Sequence, residues 1–230
     1  ATGQPIQMPE LSPLTYGHTD ARLILRVGGS MGDVYGQRLL KRDLNGYILN
    51  EEGVGLAMEN KETYLGSILP KMNMGWSLGF GYKGVNLGMT FTGRFGGIVI
   101  SETQSVLDAA GVSKVSADVR DAGGVQINQS KVSAQTYYQA IQGTAAYYTY
   151  SATNVRLGEL SLSYTLPKKW FDNKVGMTVG LVGKNLWMIY CKAPFDPELT
   201  TSAASNFYQG FDAYMLPSTR NFGFNVKFQF

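Results

Sequence analysis

Charge is scarce in this chain. Asp, Glu, Lys and Arg make up 16% of the 230 residues, against roughly 25% in soluble domains. The 20 Lys and Arg residues are scattered, so a net charge of +3 offers no basic block for nucleic acid. One cysteine, Cys191, excludes an internal disulfide, and one histidine, His18, excludes a histidine-rich metal site. No apolar run approaches the roughly 20 residues of a membrane helix. That leaves open a membrane barrel, whose strands carry only a short alternating signal. The opening Ala1-Thr-Gly-Gln-Pro5 is not a signal peptide. Nucleophile elbows, metal-ligand clusters and phosphate loops are also missing. Gly93-Arg-Phe-Gly-Gly97 stands in the wrong context for a dinucleotide site, and Asp43-Leu-Asn-Gly46 lacks the later acidic ligands of a calcium loop. Neither enzyme activity nor a cofactor is expected.

Alternation is plentiful instead. Phe222, Phe224, Val226, Phe228 and Phe230 take every second position at the end of the chain, with Asn221, Gly223, Asn225, Lys227 and Gln229 between them. A period of two places the two sets on opposite faces of a strand. Met72 to Lys83 repeats the pattern, and Val85 to Phe91 resumes it after Lys83-Gly84, which predicts a hairpin with a very short turn. Leu160, Leu162, Tyr164 and Leu166 mark a strand over 155–166, and Val175, Met177, Val179 and Leu181 mark another. Leu23, Leu25 and Val27 mark one more, ending in the glycines Gly28 to Gly32, and Asp43 to Gly46 predicts a hairpin turn within 37–49. Residues 1–20, 50–70 and 188–218 are expected to be loop. Within 96–154 the alternation breaks, and short helices are expected over 98–110 and 135–141.

The connections alternate short (83–84, 167–173) and long (96–154, 188–218), as they do between the two rims of an outer-membrane barrel. Twelve residues at about 3.3 Å each, tilted by about 45°, cover roughly 28 Å, close to the hydrocarbon thickness. The apolar faces of the strands over 72–82, 85–91 and 222–230 carry no charge. Trp76, Tyr82, Tyr164 and Phe230 are candidates for aromatic girdles. The expected fold class is all-β, an antiparallel transmembrane barrel segment with long outer loops. The alternative is a soluble β-sandwich that binds carbohydrate.

Several segments also resemble one family. Val155-Arg-Leu-Gly-Glu-Leu-Ser-Leu-Ser-Tyr-Thr-Leu-Pro-Lys-Lys169, Val182-Gly-Lys-Asn-Leu186, Ala193-Pro-Phe-Asp-Pro-Glu198 and Leu216-Pro-Ser-Thr-Arg-Asn-Phe-Gly-Phe-Asn-Val226 look like ordered motifs of the SusC/RagA family of TonB-linked outer-membrane proteins. Gly28 to Gly36 and Gly93 to Gly97 are similar to that family as well. The resemblance implies a TonB-dependent transporter with a plug inside a barrel of about 22 strands. Residues 1–230 would form its C-terminal part, with the plug domain and N-terminal strands lying outside this sequence. It further implies import of an oligosaccharide or peptide, and a location in the outer membrane of a Gram-negative bacterium. The partners it implies are the rest of the barrel and plug, a SusD-like surface lipoprotein, the TonB complex, the barrel-assembly machinery and membrane lipid. An unpaired sheet edge in lipid demands such a β partner on physical grounds too.

Two sets of residues follow as candidates. Tyr137, Tyr138, Tyr147, Tyr148 and Tyr150 could stack on a ligand or meet the lid, or could pack their own loop; Asp196 and Glu198 could orient ligand or staple theirs. The alternating terminal residues Phe222, Phe224, Val226, Phe228 and Phe230 resemble the signal read by the barrel-assembly machinery, and they equally suit a lipid-facing strand.

Overall fold

The computed structural model describes residues 6–7, 19–51, 55–171, 175–199 and 210–229. His18, Phe230 and most of the first 20 residues lie outside them. In chain order the main elements are β1 (Arg22–Leu25), β2 (Asp33–Leu40), β3 (Met58–Ser67), β4 (Met72–Tyr82), β5 (Val85–Phe95), β6 (Ile98–Ser101), α1 (Glu102–Ala109) and α2 (Lys114–Asp121). There follow β7 (Val125–Ile127), β8 (Ser130–Val132), α3 (Ala134–Ile141), β9 (Thr149–Ser151), β10 (Asn154–Thr165), β11 (Gly176–Cys191), β12 (Phe211–Asp212) and β13 (Asn221–Gln229). They fall into two compact units. Unit one is Ala1–Leu69, Gly97–Ser151 and Glu198–Met215, and unit two is Pro70–Gly96, Ala152–Pro197 and Leu216–Phe230.

Unit two contains one antiparallel sheet of five strands, in the order β13-β11-β10-β5-β4. The alternation in each strand brings like residues into register. Phe224, Leu181, Leu162, Leu87 and Phe80 face one another across all five strands, and Val226, Val179, Tyr164, Val85 and Tyr82 form the next row. The opposite face is small and polar, with Gly223, Val182, Ser161, Gly88 and Gly79 in one row and Asn225, Gly180, Ser163, Asn86 and Gly81 in another. Hydroxyl pairs stitch that face, Ser77 to Thr90 at 3.1 Å and Thr165 to Thr178 at 3.2 Å. The β4–β5 turn has only two residues, Lys83 (φ 45°) and Gly84 (φ 87°). Positive φ at both positions is the geometry that suits the twist of a tight hairpin.

One residue resets the alternation. Gly158 has no partner in either neighbouring strand: Leu157 and Glu159 pair with the consecutive residues Phe91 and Thr90. This bulge inserts one residue and exchanges the faces beyond it. Without it, Arg156 would share the apolar face with Leu160 and Leu162. With it, Arg156 stands in the polar row beside Thr92 and Gly75, and Leu157 joins Trp187, Phe91 and Trp76 on the apolar side.

Unit one is built differently. A four-stranded antiparallel sheet contains β1, β2 and β3, and a three-stranded sheet has the order β9-β6-β12, with β12 parallel to β6. Two apolar cores result. One gathers Leu23, Val34, Ile68, Ile100 and Phe211; the other gathers Leu40, Leu56, Ile127, Val132, Tyr138, Ile141 and Tyr148. Ser101, Ser113 and Ser133 cap the three helices, each accepting a hydrogen bond from the backbone N–H three residues on. Asp20 ties three segments together. Its carboxylate accepts from the N–H groups of Gln37 (3.1 Å), Arg38 (2.6 Å) and Ala145 (2.6 Å).

The structure corrects three local expectations. Residues 50–70 are not all loop, because β3 runs through Met58–Ser67. Neither face of this strand is consistently apolar, so periodicity could not mark it; pairing with β2 holds it. Residues 98–110 are a strand followed by a helix, divided at Ser101. The 188–218 loop begins later, because β11 continues to Cys191, and it contains β12. The tight hairpin, the strands over 155–166 and 221–229, and the helix near 135–141 stand as expected.

Replacing Asp20 by Ala should leave three N–H groups without their acceptor and cost about 2–4 kcal/mol. Hydrogen exchange at Gln37, Arg38 and Ala145 should rise well above that of the β4–β5 amides. Unchanged protection at those three amides would refute the role given to Asp20.

Candidate functional site

The two faces of the unit-two sheet are the first candidate. Apolar side chains of β4, β5, β10, β11 and β13 project from one side, and none is buried by a second layer within that unit. Trp76 is 63% exposed, Tyr82 72%, Leu181 58% and Phe224 69%. No charged residue occupies this face in the paired rows. Lys184 and Glu159 lie opposite one another on the polar side, 3.8 Å apart, and Lys227 is in the polar set of β13. Phe222, Phe224, Val226 and Phe228 line the apolar face as one row of β13, while Phe230 lies outside the described residues.

At the sheet end away from the Lys83-Gly84 turn, the polar face carries a buried charge cluster. Arg156 makes a two-pronged contact with Asp196, Nη1 to Oδ2 at 3.0 Å and Nη2 to Oδ1 at 2.7 Å. Its Nε and Nη2 also donate to Asn154 Oδ1, each at 3.2 Å. Both ion-pair side chains are nearly buried. Asp196 therefore fastens the segment after β11 to β10. Asp196 is brought together with Arg156 and Asn154, whereas Glu198 is exposed and lies in the other unit. The sequence reasoning missed Arg156 and Asn154. The signal was the break in alternation at Gly158.

The five tyrosines converge on the second core of unit one. Tyr138 and Tyr148 are buried, and Tyr137, Tyr147 and Tyr150 pack around them half-buried. Tyr137 and Tyr138 meet edge to face with ring centres 5.3 Å apart, a favourable geometry for the ring quadrupoles. The Tyr147 hydroxyl accepts from the N–H of Leu40 at 3.2 Å. Burial pushes the phenols of Tyr137, Tyr138, Tyr148 and Tyr150 up from the ordinary value, and the nearby Asp108 carboxylate adds to the effect at Tyr138, Tyr148 and Tyr150. For Tyr150, burial, Asp108 and Tyr138 together push the phenol up to about 12.

A single-layered antiparallel sheet with one uncovered apolar face, one polar face and long connections at one end has the features of a β-barrel wall. Among the described residues no helix is long and apolar enough to cross a membrane. No protein-family model and no curated protein matches the chain. Solved structures share its fold. One, the RagAB peptide importer in the closed-closed state, matches with a TM-score of 0.54 over 97% of this chain and 24% of that one, at 17% identity. Another, the RagAB peptide transporter, matches with a TM-score of 0.52 over 80% of this chain and 21% of that one, at 21% identity. The chain thus spans about a quarter or less of the proteins it matches. The likeness is one of fold, and it bears out the expected antiparallel barrel segment.

Two outcomes are expected. Asp196→Ala should strand the Arg156 charge and cost about 3–5 kcal/mol; denaturant unfolding in detergent, with proteolysis at the 192–199 segment, checks it. At alkaline pH, the absorbance difference between the native protein and Tyr150→Phe should titrate near 12, above the ordinary phenol value of about 10. Unfolded chain loses that proton first, so the contribution of Tyr150 to stability is complete below about pH 10 and falls between about 10 and about 12.

Proposed function

We propose that this chain forms wall and outer loops of an outer-membrane transporter that imports a nutrient. The observation that carries the reading is the continuous apolar face of the five-stranded sheet, charge-free and uncovered, backed by a polar face. Water does not favour such an apolar area, whereas a bilayer does. Two shallow hollows on this face, of ≈ 310 and ≈ 270 Å³ and lined mainly by Leu160, Leu162, Leu181, Val179 and Phe224, suit lipid acyl chains. Strands of eleven residues reach roughly 26 Å across a bilayer when tilted by about 45°.

The outer edges of β4 and β13 carry no paired strand among the described residues. In lipid, their backbone groups require partners, and the remaining strands of a larger barrel would supply them. In this reading residues 1–230 are the C-terminal portion of the transporter, and the plug and N-terminal strands complete it. The cargo is a peptide or oligosaccharide. A SusD-like lipoprotein covers the outer loops, and TonB supplies energy through the plug. Likeness in fold to the RagAB importer, whose name states peptide import, supports the transporter reading. Phe222, Phe224, Val226, Phe228 and Phe230 then serve the barrel-assembly machinery as well as facing lipid. The tyrosine-bearing insert and the Asp196–Glu198 segment belong to the long connections, where contact with cargo or lid would occur. A soluble sandwich would need a second sheet, and among the described residues unit two contains one sheet.

The test is chromatography with and without detergent, followed by reconstitution into vesicles containing brominated lipid. Trp76 and Trp187 should be quenched from the acyl-chain region. Phe224→Arg should lower stability in the bilayer by about 2–4 kcal/mol. A detergent-independent soluble monomer with unquenched tryptophans would overturn the reading.

A further inference from the structure

The short-turn end of the unit-two sheet carries a cation on its apolar side. Lys83 follows Tyr82, so strict alternation would send it to the polar face. Lys83 is instead a turn residue, at φ 45°, and its Nζ lies 5.2 Å from the centre of the Tyr82 ring. That distance is within reach of a cation–π contact. Tyr82 belongs to the apolar row with Val85, Tyr164, Val179 and Val226. The turn is fastened to the end of β10, because the Gly84 carbonyl accepts from the Thr165 N–H at 2.7 Å. Lysine stems can lie along apolar surface while the ammonium stays at the polar boundary, and the end of an eleven-residue strand reaches that boundary in a bilayer.

No carboxylate of the described residues answers this charge, since Lys83 makes no ion pair among them. By sequence the acids of unit two are Glu159, Asp172 and Asp196. Asp196 is engaged by Arg156, and Glu159 faces Lys184 on the polar side; Asp172 lies outside the described residues. The connection that follows β10 adds to the positive charge of this rim, with Lys169 exposed beside the exposed Trp170. An apolar hollow of ≈ 310 Å³ adjoins the rim. Val85, Tyr164 and Val179 line it from the row next to the turn, and Leu162, Leu181 and Phe224 from the row beyond. An unpaired cation at the edge of an apolar hollow matches a ligand with an anionic head and a hydrocarbon tail.

We propose that this rim binds an anionic phospholipid, with the headgroup phosphate on Lys83 and an acyl chain in the adjoining hollow. A zwitterionic headgroup would bring its own ammonium toward Lys83 and Lys169, so a headgroup of net negative charge fits better. This site rests on the proposed function, because it needs the apolar face to meet lipid, and it adds the class of headgroup.

The full chain in detergent is titrated with phosphatidylglycerol and, separately, with phosphatidylcholine of the same acyl chains, and bound lipid is counted by native mass spectrometry. Phosphatidylglycerol should bind saturably and more tightly, and excess inorganic phosphate should not displace it. Lys83→Gln should weaken phosphatidylglycerol about fivefold and leave phosphatidylcholine unchanged, while Lys83→Arg should retain the native preference. Lys192→Gln, beyond the far end of β11, serves as the control for general charge attraction and should have no effect. Circular dichroism establishes that each variant is folded; if Lys83→Gln does not fold, the comparison of the two lipids on the native protein decides. Equal binding of the two lipids, native affinity in folded Lys83→Gln, or an equal loss in Lys192→Gln would overturn the proposal. Any of these together with quenched Trp76 and Trp187 would leave the proposed function standing, whereas unquenched tryptophans would overturn both.

Discussion

The sheet of unit two depends on one constraint: every backbone group beneath its apolar face must find a protein partner. Where side chains such as Phe80, Leu87, Leu162, Leu181 and Phe224 form an uncovered surface, the solvent they suit cannot hydrogen-bond the chain. Antiparallel pairing satisfies the interior strands β5, β10 and β11 on both edges. It also explains why the alternation is so strict. A slip of one residue would carry glycines and asparagines to the apolar side and aromatic rings to the polar side.

The bulge at Gly158 shows how an exception to that alternation can preserve the rule. Arg156 sits two residues before it, at a place where simple alternation would aim it at the apolar face. Inserting one residue turns it to the polar side, where Asn154 and Asp196 each accept two hydrogen bonds from it. The same reversal lets Leu157 stand beside Trp187 and Phe91. One backbone irregularity thus keeps a charge out of an apolar environment and anchors the segment that follows β11.

Unit one answers a different physical problem, because its chain arrives in three separate pieces. Small cores such as Leu23, Val34, Ile100 and Phe211 join residues far apart in sequence. Buried acids bridge the pieces as well. Asp20 links β2 to the 143–145 turn, and Asp212 accepts a 2.6 Å hydrogen bond from Ser101 at the start of α1. Tyrosine suits the second core, where Tyr147 offers ring area inside and a hydroxyl to the Leu40 backbone. Asp108 is the exception among these acids, since the hydrogen bond it accepts, from Gln104 at 2.7 Å, stays within α1.

By itself the sequence determined the strands whose two faces differ. Period-two patterns at 72–82, 85–91, 160–165 and 221–229 are local, and sterics translate them directly into faces. It also determined the tight turn at Lys83-Gly84 and the contrast between short and long connections. Tertiary structure alone decided that Met58–Ser67 is a strand, because its mixed faces leave β2 to specify it. Tertiary structure likewise decided the partners of Asp196, which lies 40 residues from Arg156, and the burial of Tyr138 and Tyr148. A pocket beside Asp108 needs three helices to enclose it. Alternation is a property of neighbours along the chain, whereas an ion pair, a core or a pocket is made by residues that only folding brings together.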